Sequence, residues 1–72
     1  MDAIKVIYDP VGSTLTVWFD DPQKEHVCEE TADEVVLMKS ASGRVIGFEL
    51  LSYHPPTPGK LSVQTVVLGQ TG

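Results

Sequence analysis

His26 and Cys28 stand two residues apart with Glu25, Glu29 and Glu30 around them. This is the one stretch where soft metal ligands, a thiol and several carboxylates gather. Residues two apart share a face of a strand, so the cluster could serve a small hydrolase or a metal-binding enzyme. The supply of ligands argues against both. A zinc site takes three or four ligands, and only two of the favoured soft type are present. A cysteine protease needs a base touching the sulfur and a third group orienting that base. The spacing of His26 and Cys28 does not bring their side chains into that contact, and the sequence contains no Asn. The plainer reading is an edge strand with a half-buried Cys28. The expectation is a chain with no catalytic residues, no metal and no cofactor.

Glu49 interrupts an apolar run, Phe48 to Leu51. A carboxylate in such a place is either an acid catalyst or a structural partner. With Lys39 and Lys5 available, a structural ion pair or a hydrogen bond at a dimer interface is the better reading. His54 precedes Pro55 and Pro56 and reads as a solvated linker residue.

Ten acidic against five basic side chains give a net charge of −5 and a pI near 4.6, with no basic run. Nonspecific binding to nucleic acid is thereby disfavoured. Seven of the ten acidic residues fall between Asp20 and Glu34: Asp20, Asp21, Glu25, Glu29, Glu30, Asp33 and Glu34, with only Lys24 opposing them. They form a candidate surface for a basic protein partner, the alternative being a solvated face that keeps the chain soluble. The longest aliphatic or methionine run, Val35 to Met38, is far short of the roughly 20 residues of a membrane-spanning helix. Met1 to Lys5 has neither a basic stretch nor a long apolar one. The expected location is the cytoplasm, and the single Cys28 fits it.

The elements that must position these residues read as strands. Val, Ile, Thr, Leu and aromatics occur in short runs between Pro, Gly, Asp and Ser. Asp9, Pro10, Val11 and Gly12 spell a turn between Ala3–Tyr8 and Thr14–Phe19. With Gly12 left-handed, Tyr8 would face Thr14 and Ile7 would face Leu15, leaving Tyr8 and Trp18 on the second face. Ser40 to Gly43 closes a second hairpin, Glu34–Lys39 with Arg44–Leu51. A register set by Ser40 opposite Arg44 would place Met38 against Ile46, Val36 against Phe48 and Glu49 against Val35. Gly43 should take positive φ, and Gly47 should mark a bulge or the close approach of an aromatic such as Trp18. Glu25–Glu29 could add a short edge strand. Residues 53–59 hold three prolines and read as a semi-rigid linker, and 61–68 as a final strand. The fold class is all-β: an antiparallel meander of two β-hairpins plus a C-terminal strand, a single small domain over 1–72. Both faces of such a sheet would be half apolar, so homodimerisation is expected. Tyr8, Trp18, Val35, Leu37 and Glu49 are the candidate interface residues, while Asp9, Pro10, Gly12, Gly43 and Gly47 shape the turns and the bulge.

Tyr8, Asp9, Pro10 and Leu15, followed by the run Gly43, Arg44, Val45, Ile46, Gly47, Phe48, Glu49, Leu50, Leu51, resemble the small prokaryotic family catalogued as domain of unknown function 2283. The resemblance covers residues 4–52. Family members typically carry an acidic residue where Ser13 stands, and several across Met38, Ser40 and Ser42; any shared ionic role of those carboxylates is lost from this chain. The resemblance implies no established activity. Some members look like the smaller partner in two-gene toxin and antitoxin arrangements, which makes an antitoxin-like partner of a basic protein an expectation for this one.

Overall fold

A computed structural model describes residues 3–69. Five antiparallel strands form one open sheet: β1 (Lys5–Asp9), β2 (Thr14–Trp18), β3 (Val27–Glu30), β4 (Val35–Lys39) and β5 (Val45–Leu50). Their order across the sheet is β1-β2-β5-β4-β3. The described residues contain no α-helix, only a 3-10 turn at Pro22–Lys24. The sheet is therefore not a simple meander. After β2 the chain crosses to lay β3 at the far edge, and β3, β4 and β5 then return until β5 docks on β2. Main-chain bonds tie the crossing segment at both ends: Phe19 N–H donates to Ile46 O at 2.7 Å, and His26 N–H to Lys39 O at 2.8 Å. Asp21 starts the 3-10 turn by accepting from Gln23 N–H at 2.9 Å, with Pro22 in the first-turn position that costs no donor.

The strand expected over 61–68 does not form. Residues 61–69 adopt no regular structure, and the fifth strand is instead Val27–Glu30. The cause lies in the proline-rich segment, which is pinned to the β1–β2 turn. Tyr53 N–H donates to Ser13 O at 2.7 Å and Gly59 N–H to the Tyr8 hydroxyl at 3.3 Å. The Tyr8 and Tyr53 rings meet edge to face, centroids 5.9 Å apart. Gly59, at φ 77°, then turns the chain away, and it does not join either edge strand.

Both hairpin registers differ from expectation by one residue. In the first, Gly12 is not left-handed; Ser13 is, at φ 56°. The Asp9 carboxylate accepts from Val11 N–H at 3.0 Å and Gly12 N–H at 3.1 Å, closing a longer loop that pairs Asp9 with Thr14, Tyr8 with Leu15 and Val6 with Val17. A Cβ at Gly12 would lie 3.0 Å from Asp9 Oδ2 and crowd the carboxylate that closes this loop. The second turn has Gly43 at φ 85° and Ser40 N–H bonded to Arg44 O at 2.9 Å. Beyond it the ladder shifts: Lys39 pairs with Val45 but Met38 with Gly47, so Ile46 is an extra residue in β5. Val36 thus faces Glu49, Leu37 faces Phe48 and Val35 faces Leu50.

A one-residue slip moves every side chain of a strand to the other face, and here the two shifts act together. Alternation from these pairs puts Val6, Tyr8, Leu15, Val17, Val35, Leu37, Phe48 and Leu50 on one face. The other carries Lys5, Ile7, Asp9, Thr14, Thr16, Trp18, Val36, Met38, Glu49 and the bare Gly47. Trp18 and Met38 meet over that glycine; a Cβ on Gly47 would lie 2.7 Å from Val17 O, 2.9 Å from Trp18 Cε3 and 3.2 Å from Met38 Cε. The buried hydrophobic residues are Met38 and Ile46, at 4% and 1% exposure, both at the bulge. The first face also takes Lys39 and Glu29 at its β3 side, and none of its residues is buried.

Two glycine substitutions separate the physical demands of the two positions. Gly43→Ala meets no neighbour and suffers only the left-handed backbone, about 1 to 2 kcal/mol. Gly47→Ala forces β2 and β5 apart against a main-chain oxygen, about 1 to 3 kcal/mol from overpacking plus lost ladder bonds. Urea unfolding should rank Gly47→Ala as the more damaging, and equal or negligible losses would show the bulge to be misplaced.

Candidate functional site

The proposed chemical cluster sits on the β3 edge, where all four strand residues are exposed. Cys28 faces Met38 in the ladder, and its thiol donates to the Glu25 carboxylate. That hydrogen bond, then desolvation, then the charges of Glu25 and Glu49 push the thiol above the ordinary cysteine range. An activated cysteine needs the reverse, a cation or helix N-terminus that favours thiolate. Glu29 is taken by Lys39 in an ion pair, and Glu29 and Cys28 point to opposite faces of their strand. No group of three or more metal-ligating side chains occurs among the described residues.

The seven acidic residues are distributed rather than gathered. Asp20 and Asp21 lie at the end of the sheet that holds the β4–β5 turn. Asp20 is paired with Lys24 at 3.3 Å; the Asp21 backbone N–H and then Lys24 hold its carboxyl below the ordinary 3.8. Glu25 and Glu29 follow at the start and middle of the β3 edge. Glu30, Asp33 and Glu34 lie at the opposite end, where the Glu34 carboxylate accepts from the Ser52 hydroxyl at 3.2 Å. The edge is acidic along its length, but Lys39 joins Lys24 in opposing it.

Glu49 does not face Val35 and bonds neither Lys39 nor Lys5. It lies between Thr16 and Val36 and accepts from the Thr16 hydroxyl at 3.1 Å. The candidate interface set divides accordingly. Tyr8, Val35 and Leu37 share the apolar face, whereas Trp18 and Glu49 lie on the other, so the five cannot form one surface.

Two clefts were not legible in the sequence. Ile46 floors the larger, about 470 Å³, walled by Asp20 and Lys24 of the crossing segment and by Ser40, Ala41, Ser42 and Arg44 of the β4–β5 turn. It exists because the connection after β2 passes that turn, a non-local event. The smaller, about 80 Å³, lies between Tyr8, Pro10, Ser13 and the segment Tyr53–Gly59, and His54 lines it. At the same end Ser13, Glu34 and Ser52 are all left-handed, φ 56° to 58°. Leu51 N–H donates to Glu34 O at 2.8 Å, and with the Tyr53–Ser13 bond this cross-linking stabilises the conformation.

The chain belongs to the family described as "Protein of unknown function (DUF2283)", whose pattern matches residues 5–53. The match takes in the whole sheet and stops where the proline-rich segment begins. No curated protein and no solved structure matches the chain.

Cys28 should behave as a sluggish thiol. Its alkylation by iodoacetamide should rise with a midpoint above that of a free cysteine, about 8.5. Glu25→Gln should lower the midpoint and raise the rate near pH 8 severalfold. A wild-type midpoint at or below the free value would contradict the thiol–carboxylate bond.

Proposed function

We propose that the chain is a small acidic interaction protein, homodimeric, whose β3 edge meets a basic protein partner in the manner of an antitoxin. The observation that supports this most is a single-layer sheet with one apolar face only half-buried and a carboxylate-rich edge beside it. Domains are built from at least two packed layers, so a lone layer of this kind is the form of a component. The edge suits a cationic surface because three of its carboxylates, Glu25, Glu30 and Asp33, have no lysine or arginine within ion-pair distance among the described residues. Such an edge speeds encounter more than it adds affinity. The raised Cys28 thiol and the division of the glutamates between two faces give the hydrolase reading no support.

The test captures a partner from the cell's own extract and follows association by stopped flow. Glu25→Gln, Glu30→Gln and Asp33→Asn together should slow association by about tenfold at low salt, and raising salt should slow the wild type similarly. An acidic partner, or a rate indifferent to both changes, contradicts the reading.

A further inference from the structure

We infer that the apolar face of the sheet, centred on Leu15, Val17, Val35, Leu37, Phe48 and Leu50, is the surface through which two copies of this chain pack into a two-layer β-sandwich. The inference deepens the homodimeric part of the proposed function and names its interface, which excludes Trp18 and Glu49.

Charge selects the face and its occupant. Across β1, β2, β5 and the first four residues of β4, this face carries no ionisable group but the Tyr8 phenol. Its remaining charged side chains, Lys39 and Glu29, neutralise each other in an ion pair at the β3 side. A surface with no net charge, its one ion pair at the β3 side, offers little to a charged partner but suits its own copy. Two chains of net charge −5 can meet there while their carboxylates remain on the edge, the far face and the loops. The far face is less suited. It holds Lys5, Asp9, Glu30 and Glu49, and its apolar part is already consumed by Trp18 and Met38 closing over Gly47.

The chain exposes 5544 Å², against about 4,400 Å² for a folded monomer of its mass by the surface scaling law. Much of the excess of about 1,100 Å² belongs to the exposed segment after Lys60, so the half-buried strand residues of the face supply only part of the roughly 800 Å² each partner buries in a standard stable interface. The chain supplies little cover of its own. The proline-rich segment covers the corner at Tyr8, and Val63, Val66, Val67 and Leu68 beyond it are 64–87% exposed. Aligned sheets pack about 10 Å apart with interdigitating side chains, a spacing that Leu, Val and Phe fill without polar atoms.

Sedimentation equilibrium of the full chain should give twice 7.8 kDa. Leu37→Lys should weaken the dimer at least about a hundredfold by placing a charge in the apolar interface, whereas Thr14→Lys on the far face should leave it unchanged. Because Leu37→Lys could fail to fold, a second measurement uses the unaltered protein. A soluble gadolinium chelate added to the methyl-labelled chain should spare the Leu15, Val17, Leu37 and Leu50 methyls and broaden those of Ile7 and Val36. A dimer that survives Leu37→Lys, or that leaves the Leu15 and Leu37 methyls exposed to the chelate, overturns the interface alone. A single species of 7.8 kDa at all concentrations overturns the homodimer as well, and either result leaves the acidic edge to be judged by its own salt dependence.

Discussion

A sheet one layer thick has water on both sides, and every other feature of this molecule follows from how the chain copes with that. Burial of apolar surface is the main force available to offset chain entropy, yet among the described residues the buried hydrophobic side chains are Met38 and Ile46, both at the bulge. The five strands are well bonded to one another, but hydrogen bonds contribute only about 1 kcal/mol each net. They hold the layer together without giving it a core. The far face compensates locally, with Trp18 and Met38 closing over Gly47 and Glu49 satisfied by Thr16. The other face has aromatic contacts, Tyr8 with Tyr53 and Phe19 with Phe48, and its strand residues stay half-buried.

Both faces are set by two small local choices. At the first turn, the Asp9 side chain gathers two main-chain N–H groups, so the left-handed residue falls at Ser13 and not at Gly12. At the second, the turn itself is regular, but Ile46 is squeezed out of the ladder because Gly47 must sit beneath Trp18 with nothing on its Cα. Each choice moves a register by one residue: the first sets Val6 and Tyr8 beside Val17 and Leu15, and the second sets Leu37 and Val35 beside Phe48 and Leu50. Without either shift the apolar residues would be divided between the faces.

That history explains what the sequence could convey. The all-β class, the antiparallel pairing, the positive φ at Gly43 and the special place of Gly47 follow from residue types acting locally. The registers do not, since Asp-Pro-Val-Gly is compatible with two loop lengths and the bulge depends on a tryptophan 29 positions away from its glycine. The docking of β5 on β2 joins hairpins distant in sequence and carries no local mark, so the strand order and the cleft over Ile46 were hidden. The valine-rich stretch after Lys60 has strand propensity, but propensity acts only where an edge is within reach, and the Tyr53–Ser13 and Gly59–Tyr8 bonds direct that stretch elsewhere. The acidic residues were legible as a group, while their spread along an edge depended on the crossing connection.

In the proposed dimer, folding of this sheet and association of two copies are one process. Anything that binds only the folded state raises its stability by mass action, so the melting temperature of a dimer must depend on protein concentration. Calorimetric melting between about 5 and 500 μM tests this most directly, because it needs no variant and no label. The account predicts a melting temperature that climbs by several degrees across that range, with an unfolding transition that fits native dimer to unfolded monomer. A melting temperature that stays fixed while unfolding remains reversible and cooperative would contradict it, and would mean that a single layer of this sequence is stable with its apolar face in water.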